Sequence, residues 1–213
     1  DHDPDMVIVG EYMPITVMVN EEGFFEDRTS SLGLENTSGW WHVIIAEDLD
    51  GDGDPDLVGG NHGWNSRFKA SINKPIRMYV NDFDQNGSIE QVITAYNGFE
   101  AFPVALKPDM VTQVPALRKK YQKFADYAGQ RVEDIFSATQ IEQSLQLKAV
   151  NLSSSLILNR GNDPWQVIEL PVEAQTTPIY AIHSEDIDHD GRKDLLMGGN
   201  LYRAKPEVGI YDG

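Results

Sequence analysis

The sequence predicts an all-β chain, a partial β-propeller with a small α-helical insertion, and three observations lead there. Acidic residues recur in short blocks of one spacing, short β-branched and aromatic runs frame each block, and one long gap between blocks turns helical. At 213 residues the chain is long enough to bury a sizeable core.

The blocks carry the strongest signal. DLDGDGDPD places Asp48, Asp50, Asp52, Asp54 and Asp56 at alternate positions, with Gly53 sixth. DFDQNGSIE places Asp82, Asp84, Asn86, Ser88 and Glu90 in the same slots, with Gly87 sixth, and DIDHDGRKD repeats them as Asp186, Asp188, Asp190, Arg192 and Asp194, with Gly191 sixth. The opening DHDPD aligns Asp1, Asp3 and Asp5 with Asp52, Asp54 and Asp56, so it reads as a truncated fourth loop that keeps only part of the ligand set. These four segments hold 15 of the 34 acidic residues, which is clustering rather than an evenly solvated surface.

Such spacing suits a hard divalent cation, which takes six to eight oxygens, about 2.3–2.6 Å away, from a curled loop. Positions 1, 3, 5 and 9 offer side chains, position 7 offers its carbonyl, and the sixth-position glycine takes a backbone conformation a Cβ resists. Without a cation, the converging carboxylates repel one another. Calcium fits better than magnesium, and the all-oxygen set disfavours zinc. A single block of this kind is also compatible with an ordinary Asp-Gly turn, but three complete copies favour metal. An EF-hand does not fit, because position 12 is Gly59, Ile93 or Met197 and the flanks are not helical.

Taken in order, strands are expected at 6–9, 15–19, 41–46, 57–60, 76–80 and 91–96, and again at 155–158, 165–170, 179–182, 195–199 and 208–211. The text after each acidic block repeats as DMVIVGE, DLVGGN and DLLMGGN, whose glycines permit close backbone approach or, more simply, a turn. The ninth positions stand 51, 34 and 104 residues apart. The short step places DFDQNGSIE in later strands of the blade opened by DLDGDGDPD, and the long gap holds the insertion at about 101–147. There, 115–129 has a proline near its start, an apolar face at Leu117, Tyr121, Phe124, Ala125 and Ala128, and a terminal glycine, which predicts a helix. Shorter helices are expected at 132–136 and 140–145, followed from 147 to 171 by a blade without an acidic loop.

These loops and their following strands resemble the FG-GAP/VCBS repeat family, the calcium-loop propeller blades also found in integrin alpha-subunit heads. The resemblance covers about half the chain and implies mainly structural calcium, at about three sites. It assigns as ligands Asp48, Asp50, Asp52, the Asp54 carbonyl and Asp56; Asp82, Asp84, Asn86, the Ser88 carbonyl and Glu90; and Asp186, Asp188, Asp190, the Arg192 carbonyl and Asp194. The strands fill only about three blades, so the chain is expected to be a fragment of a propeller of about seven, with open terminal strands able to pair with another copy.

Seventeen Lys+Arg against 34 Asp+Glu give a formal net charge of −17, which disfavours nucleic acid and anionic membranes as partners. The absence of cysteine excludes thiol catalysis, disulfides and thiolate zinc sites. No apolar run approaches a membrane span, so membrane insertion is not expected. Millimolar extracellular calcium would fill even weak loops, which points to an extracellular, cell-surface or periplasmic location.

The implied role is recognition of a protein or carbohydrate. The alternative is a calcium-dependent carbohydrate-active lyase or hydrolase on the same scaffold, because fold alone does not fix chemistry. No common catalytic motif occurs, and no catalytic residue is assigned. His62, beside Gly59-Gly60-Asn61 and Trp64, is the histidine nearest to a catalytic setting, although a surface polar role is the expectation. Trp64 is a candidate stacking platform, whereas Trp40, Trp41 and Trp165 read as packing residues. Arg118, Lys119, Lys120 and Lys123 form the one basic cluster, expected on the solvated face of the inserted helix. Asn36 and Asn151 open glycosylation acceptor patterns.

Overall fold

Short apolar runs on either side of each acidic block fold back on one another as antiparallel hairpins. The computed structural model describes residues 3–201 and 211–212. The chain is mostly β and divides into two compact units, residues 1–68 with 149–213, and residues 69–148.

In the first unit, β1 (Met6–Ile8), β3 (Thr16–Glu21) and β4 (Phe24–Asp27) form one sheet in the order β1-β3-β4, while β2 (Glu11–Met13) pairs with β5 (Gly39–Trp40). A four-stranded antiparallel sheet combines β6 (Val43–Glu47), β7 (Asp56–Gly60), β12 (Ser155–Leu158) and β13 (Gln166–Glu169) in the order β13-β12-β7-β6. A further hairpin joins β14 (Ala181–Glu185) to β15 (Asp194–Gly198), and β16 (Asn200–Leu201) pairs with β17 (Tyr211–Asp212). Ile15, Val17, Leu34, Trp41, Leu57 and Ile157 make the main core of this unit.

The second unit has a sheet of order β10-β9-β8-β11, made of β8 (Ile76–Asn81), β9 (Glu90–Asn97), β10 (Glu100–Pro103) and β11 (Leu145–Ala149). Its core is assembled from sheet and helical segment together, with Tyr79, Phe83 and Val92 packed among Met110, Tyr121 and Phe136. The short helices are α1 (Lys107–Gln113), α2 (Phe124–Tyr127), α3 (Val132–Ile135) and α4 (Ala138–Glu142), with a 3-10 turn at Pro115–Arg118.

Three expectations change. DFDQNGSIE does not serve the DLDGDGDPD sheet: its strands β8 and β9 belong to the second unit. No separate blade is built from residues 147–171, because β12 and β13 complete the sheet begun by β6 and β7. The second unit is therefore inserted between consecutive strands of one antiparallel sheet. The helix expected over 115–129 is broken, since the Lys123 N–H donates to Asp126 Oδ2 at 2.8 Å and starts a new turn there. The strand expected at 208–211 lies mostly outside the described residues.

In DLVGGN the glycines are a strand feature and not a turn, whereas Gly10 and Gly199 lie just outside strands. Gly59 and Gly60 lie inside β7, all of which is buried. A Cβ on Gly59 would stand 2.7 Å from the Trp41 ring, and one on Gly60 would stand 2.7 Å from both the Ile179 carbonyl oxygen and Val43 Cγ1. These glycines let neighbouring chain segments approach where a side chain has no room.

Candidate metal centres

The three acidic blocks connect their strands in one register. Glu47 pairs with Asp56, Asn81 with Glu90, and Glu185 with Asp194, so the residue before each loop faces its ninth residue. Antiparallel pairing thus returns position 9 beside position 1.

One hydrogen-bond scheme then shapes all three loops. The first carboxylate accepts from the sixth-position glycine: Gly53 to Asp48 at 3.2 Å, Gly87 to Asp82 at 2.8 Å and Gly191 to Asp186 at 3.0 Å. The fifth side chain accepts from the seventh N–H: Asp54 to Asp52 at 3.0 Å, Ser88 to Asn86 at 2.7 Å and Arg192 to Asp190 at 2.8 Å. The ninth carboxylate accepts from the second N–H: Leu49 to Asp56 at 3.1 Å, Phe83 to Glu90 at 2.8 Å and Ile187 to Asp194 at 3.0 Å. The sixth glycines have φ of +95°, +87° and +86°. The fourth residues are left-handed too, at +80° for Gly51, +57° for Gln85 and +63° for His189, a requirement the spacing did not reveal.

This curl gathers Asp48 with Asp50 and Asp56, Asp82 with Asp84 and Glu90, and Asp186 with Asp188 and Asp194. In each set, one carboxylate oxygen per residue lies within 4.8 Å of the others. Asp52, Asn86 and Asp190 are placed at the turn, where each spends one side-chain oxygen on the seventh N–H. Asp54, Ser88 and Arg192 supply those N–H groups.

The donor set fits a hard cation on observations of the loops themselves. Each site offers only oxygens, and Asp84 Oδ1 is buried without a hydrogen-bond donor among the described residues. Arg160 reaches Asp50 Oδ2 at 3.1 Å, offsetting part of the charge at the first loop. Positions 1, 3, 5 and 9 with the seventh carbonyl would hold the ion, which would supply charge neutralisation and a crosslink between the two strands.

Asp56 and Glu90 are buried, and Asp194 is half-buried. Asp56 also accepts from the Asn159 N–H at 2.9 Å, while the Asn159 side chain donates to the Pro55 carbonyl at 3.2 Å. The opening segment repeats this brace: Asp5 accepts from the Asn20 N–H at 2.9 Å, and Asn20 donates to the Pro4 carbonyl at 3.2 Å. Asn20 and Asn159 were missed in the sequence, although each directly follows a β-branched or aliphatic run. Asp1 lies outside the described residues, and Asp3 and Asp5 join no three-carboxylate group among the described residues.

Other candidates fall in different places. His62 is buried rather than superficial, with its ring 4.9 Å from Trp40 and 6.1 Å from Phe68, both edge-on. Burial, with a smaller contribution from His42, pushes its pKa down to about 4, and burial also lowers that of His42. Tyr12, at φ +61°, packs against Trp40, and burial raises its hydroxyl to about 12. These groups are therefore uncharged near neutral pH. Trp64 is tied down by its indole N–H donating to Ser153 Oγ at 2.9 Å. Arg118, Lys119, Lys120 and Lys123 are exposed, but on a 3-10 turn and the segment after it.

Oxygen-rich loops that close β-hairpins define a repeat class in which loop and strands recur as one unit. Residues 1–59 match the family model described as an FG-GAP-like repeat, so the resemblance holds over that segment. The chain has no match among curated proteins. Among the described residues no helix is long and apolar enough to cross a membrane.

Proposed function

We propose that the chain is a calcium-stabilised β-propeller segment acting as an extracellular, cell-surface or periplasmic recognition module for a protein or carbohydrate. The observation that carries this reading is the common scheme of the three hairpin loops, which gathers three carboxylates in each. Propeller architecture is supported by the four-stranded antiparallel order β13-β12-β7-β6, the pattern of a blade. Calcium has a structural role in this reading, with each ion joining the strands on either side of its loop. A hairpin offers no helix pair to open, which disfavours a calcium sensor.

Thermal unfolding with and without chelator tests the proposal. A ligand at about 100 times its Kd stabilises the fold by about 2.7 kcal/mol per site, so chelation is expected to lower Tm by several degrees and calcium to restore it. Superimposable melting curves would remove the structural-metal reading.

A further inference from the structure

Charge is divided unevenly between the two units. Residues 69–148 carry ten Lys+Arg and nine Asp+Glu, whereas the rest of the chain carries seven and 25. Within the second unit the helical segment carries Lys107, Arg118, Lys119, Lys120, Lys123 and Arg131 among Asp109, Asp126, Glu133, Asp134 and Glu142, and Arg131 is paired with Glu100 and Asp134.

One of these cations, Lys107, lines an apolar groove of about 550 Å³ together with Phe102, Leu106, Phe124 and Tyr127 among others, and Lys123 directly precedes Phe124 in the chain. Its rim is exposed hydrocarbon: Phe124 is 69% and Leu106 54% accessible, and neither belongs to the core of the unit. Lys107 Nζ stands 5.1 Å from the Phe124 ring centre, which places positive charge on the rim. A groove of this size takes one or two large apolar side chains, and its cations favour an anchor flanked by acid.

The first unit exposes such a segment. β4 is the edge strand of its sheet, and all four of its residues are exposed, Phe24 at 80% and Phe25 at 46%. Glu21, Glu22, Glu26 and Asp27 surround these rings, opposed in the same stretch by Arg28. Glu21 pairs with Phe24 and Asn20 with Phe25 across the turn, so the aromatic and acidic side chains are presented on one tight hairpin.

We propose that the groove of one copy receives the Phe24–Phe25 hairpin of a second copy, joining copies head to tail. The contact joins unlike surfaces, knob on one unit and socket on the other. It is independent of the metal reading, and its test is run in millimolar calcium throughout.

Sedimentation velocity from micromolar to submillimolar protein, at low and high salt, reads the association. The wild-type chain is expected to sediment faster as concentration rises and to lose this in high salt. Phe24→Ser and Phe124→Ser each replace an exposed ring and should leave the circular dichroism spectrum unchanged while weakening association roughly 30-fold. Lys107→Glu with Lys123→Glu should abolish association, and adding Glu21→Lys with Glu22→Lys in the same chain should restore it. A chain monomeric at every concentration overturns the proposal. Association sensitive to Phe124→Ser but indifferent to Phe24→Ser assigns the groove another occupant and overturns it as well.

Discussion

With calcium chelated, Asp56→Ala is expected to destabilise the first unit by about 3–5 kcal/mol, whereas Asp52→Ala, only a few residues away in the same loop, should cost about 1 kcal/mol or less. Asp56 is 0% exposed and holds two backbone donors, the Leu49 N–H inside the loop and the Asn159 N–H just beyond β12. Removing the carboxylate orphans both donors, and the loop loses its attachment to the strand that follows the inserted unit. Asp52 is exposed and accepts one local bond from Asp54, which water can replace. Urea unfolding of both variants, with and without calcium, separates the brace from the metal. The Asp56 penalty should persist in chelator, and equal penalties for the two variants there would contradict the brace.

Gly60→Ala is the second large effect, expected to cost about 3 kcal/mol through overpacking. The added Cβ would meet the Ile179 carbonyl and the Val43 side chain at 2.7 Å, inside a buried strand held on both sides. Neither contact is the far end of a flexible side chain, so relief requires the backbone to move. Gly198 occupies the same register position relative to its loop but has nothing within 4 Å among the described residues. Gly198→Ala should therefore fall within about 0.5 kcal/mol of wild type. Comparable losses at the two sites, measured by thermal unfolding, would show that strand propensity rather than close approach selects these glycines.

The loops were legible because their chemistry is local: alternate carboxylates and a sixth-position glycine imply a curl wherever they occur. Strand membership was not, because Leu57 pairs with Ile157 across the whole inserted unit, and spacing between motifs carries no record of that partner. The 34-residue step between the ninth positions therefore assigned DFDQNGSIE to the wrong sheet. Over 115–129 the apolar periodicity correctly marked Leu117 and Tyr121 as core, but Asp126 capping the Lys123 N–H overrode continuous helix. His62 looked superficial because glycine and asparagine surround it in sequence; Trp40, which packs on it, comes from β5, and Phe68 folds back from six residues on. The brace from Asn20 and Asn159 escaped notice because its significance lies in the Asp5 and Asp56 partners that only folding reveals.

Calcium carried per chain, counted by equilibrium dialysis followed by metal analysis, tests the central claim most directly. The three described loops that gather carboxylates predict uptake approaching three ions in millimolar calcium, falling by one when Asp82 and Asp84 are both replaced by Asn. Uptake indistinguishable from buffer, or unchanged by that double substitution, would contradict it.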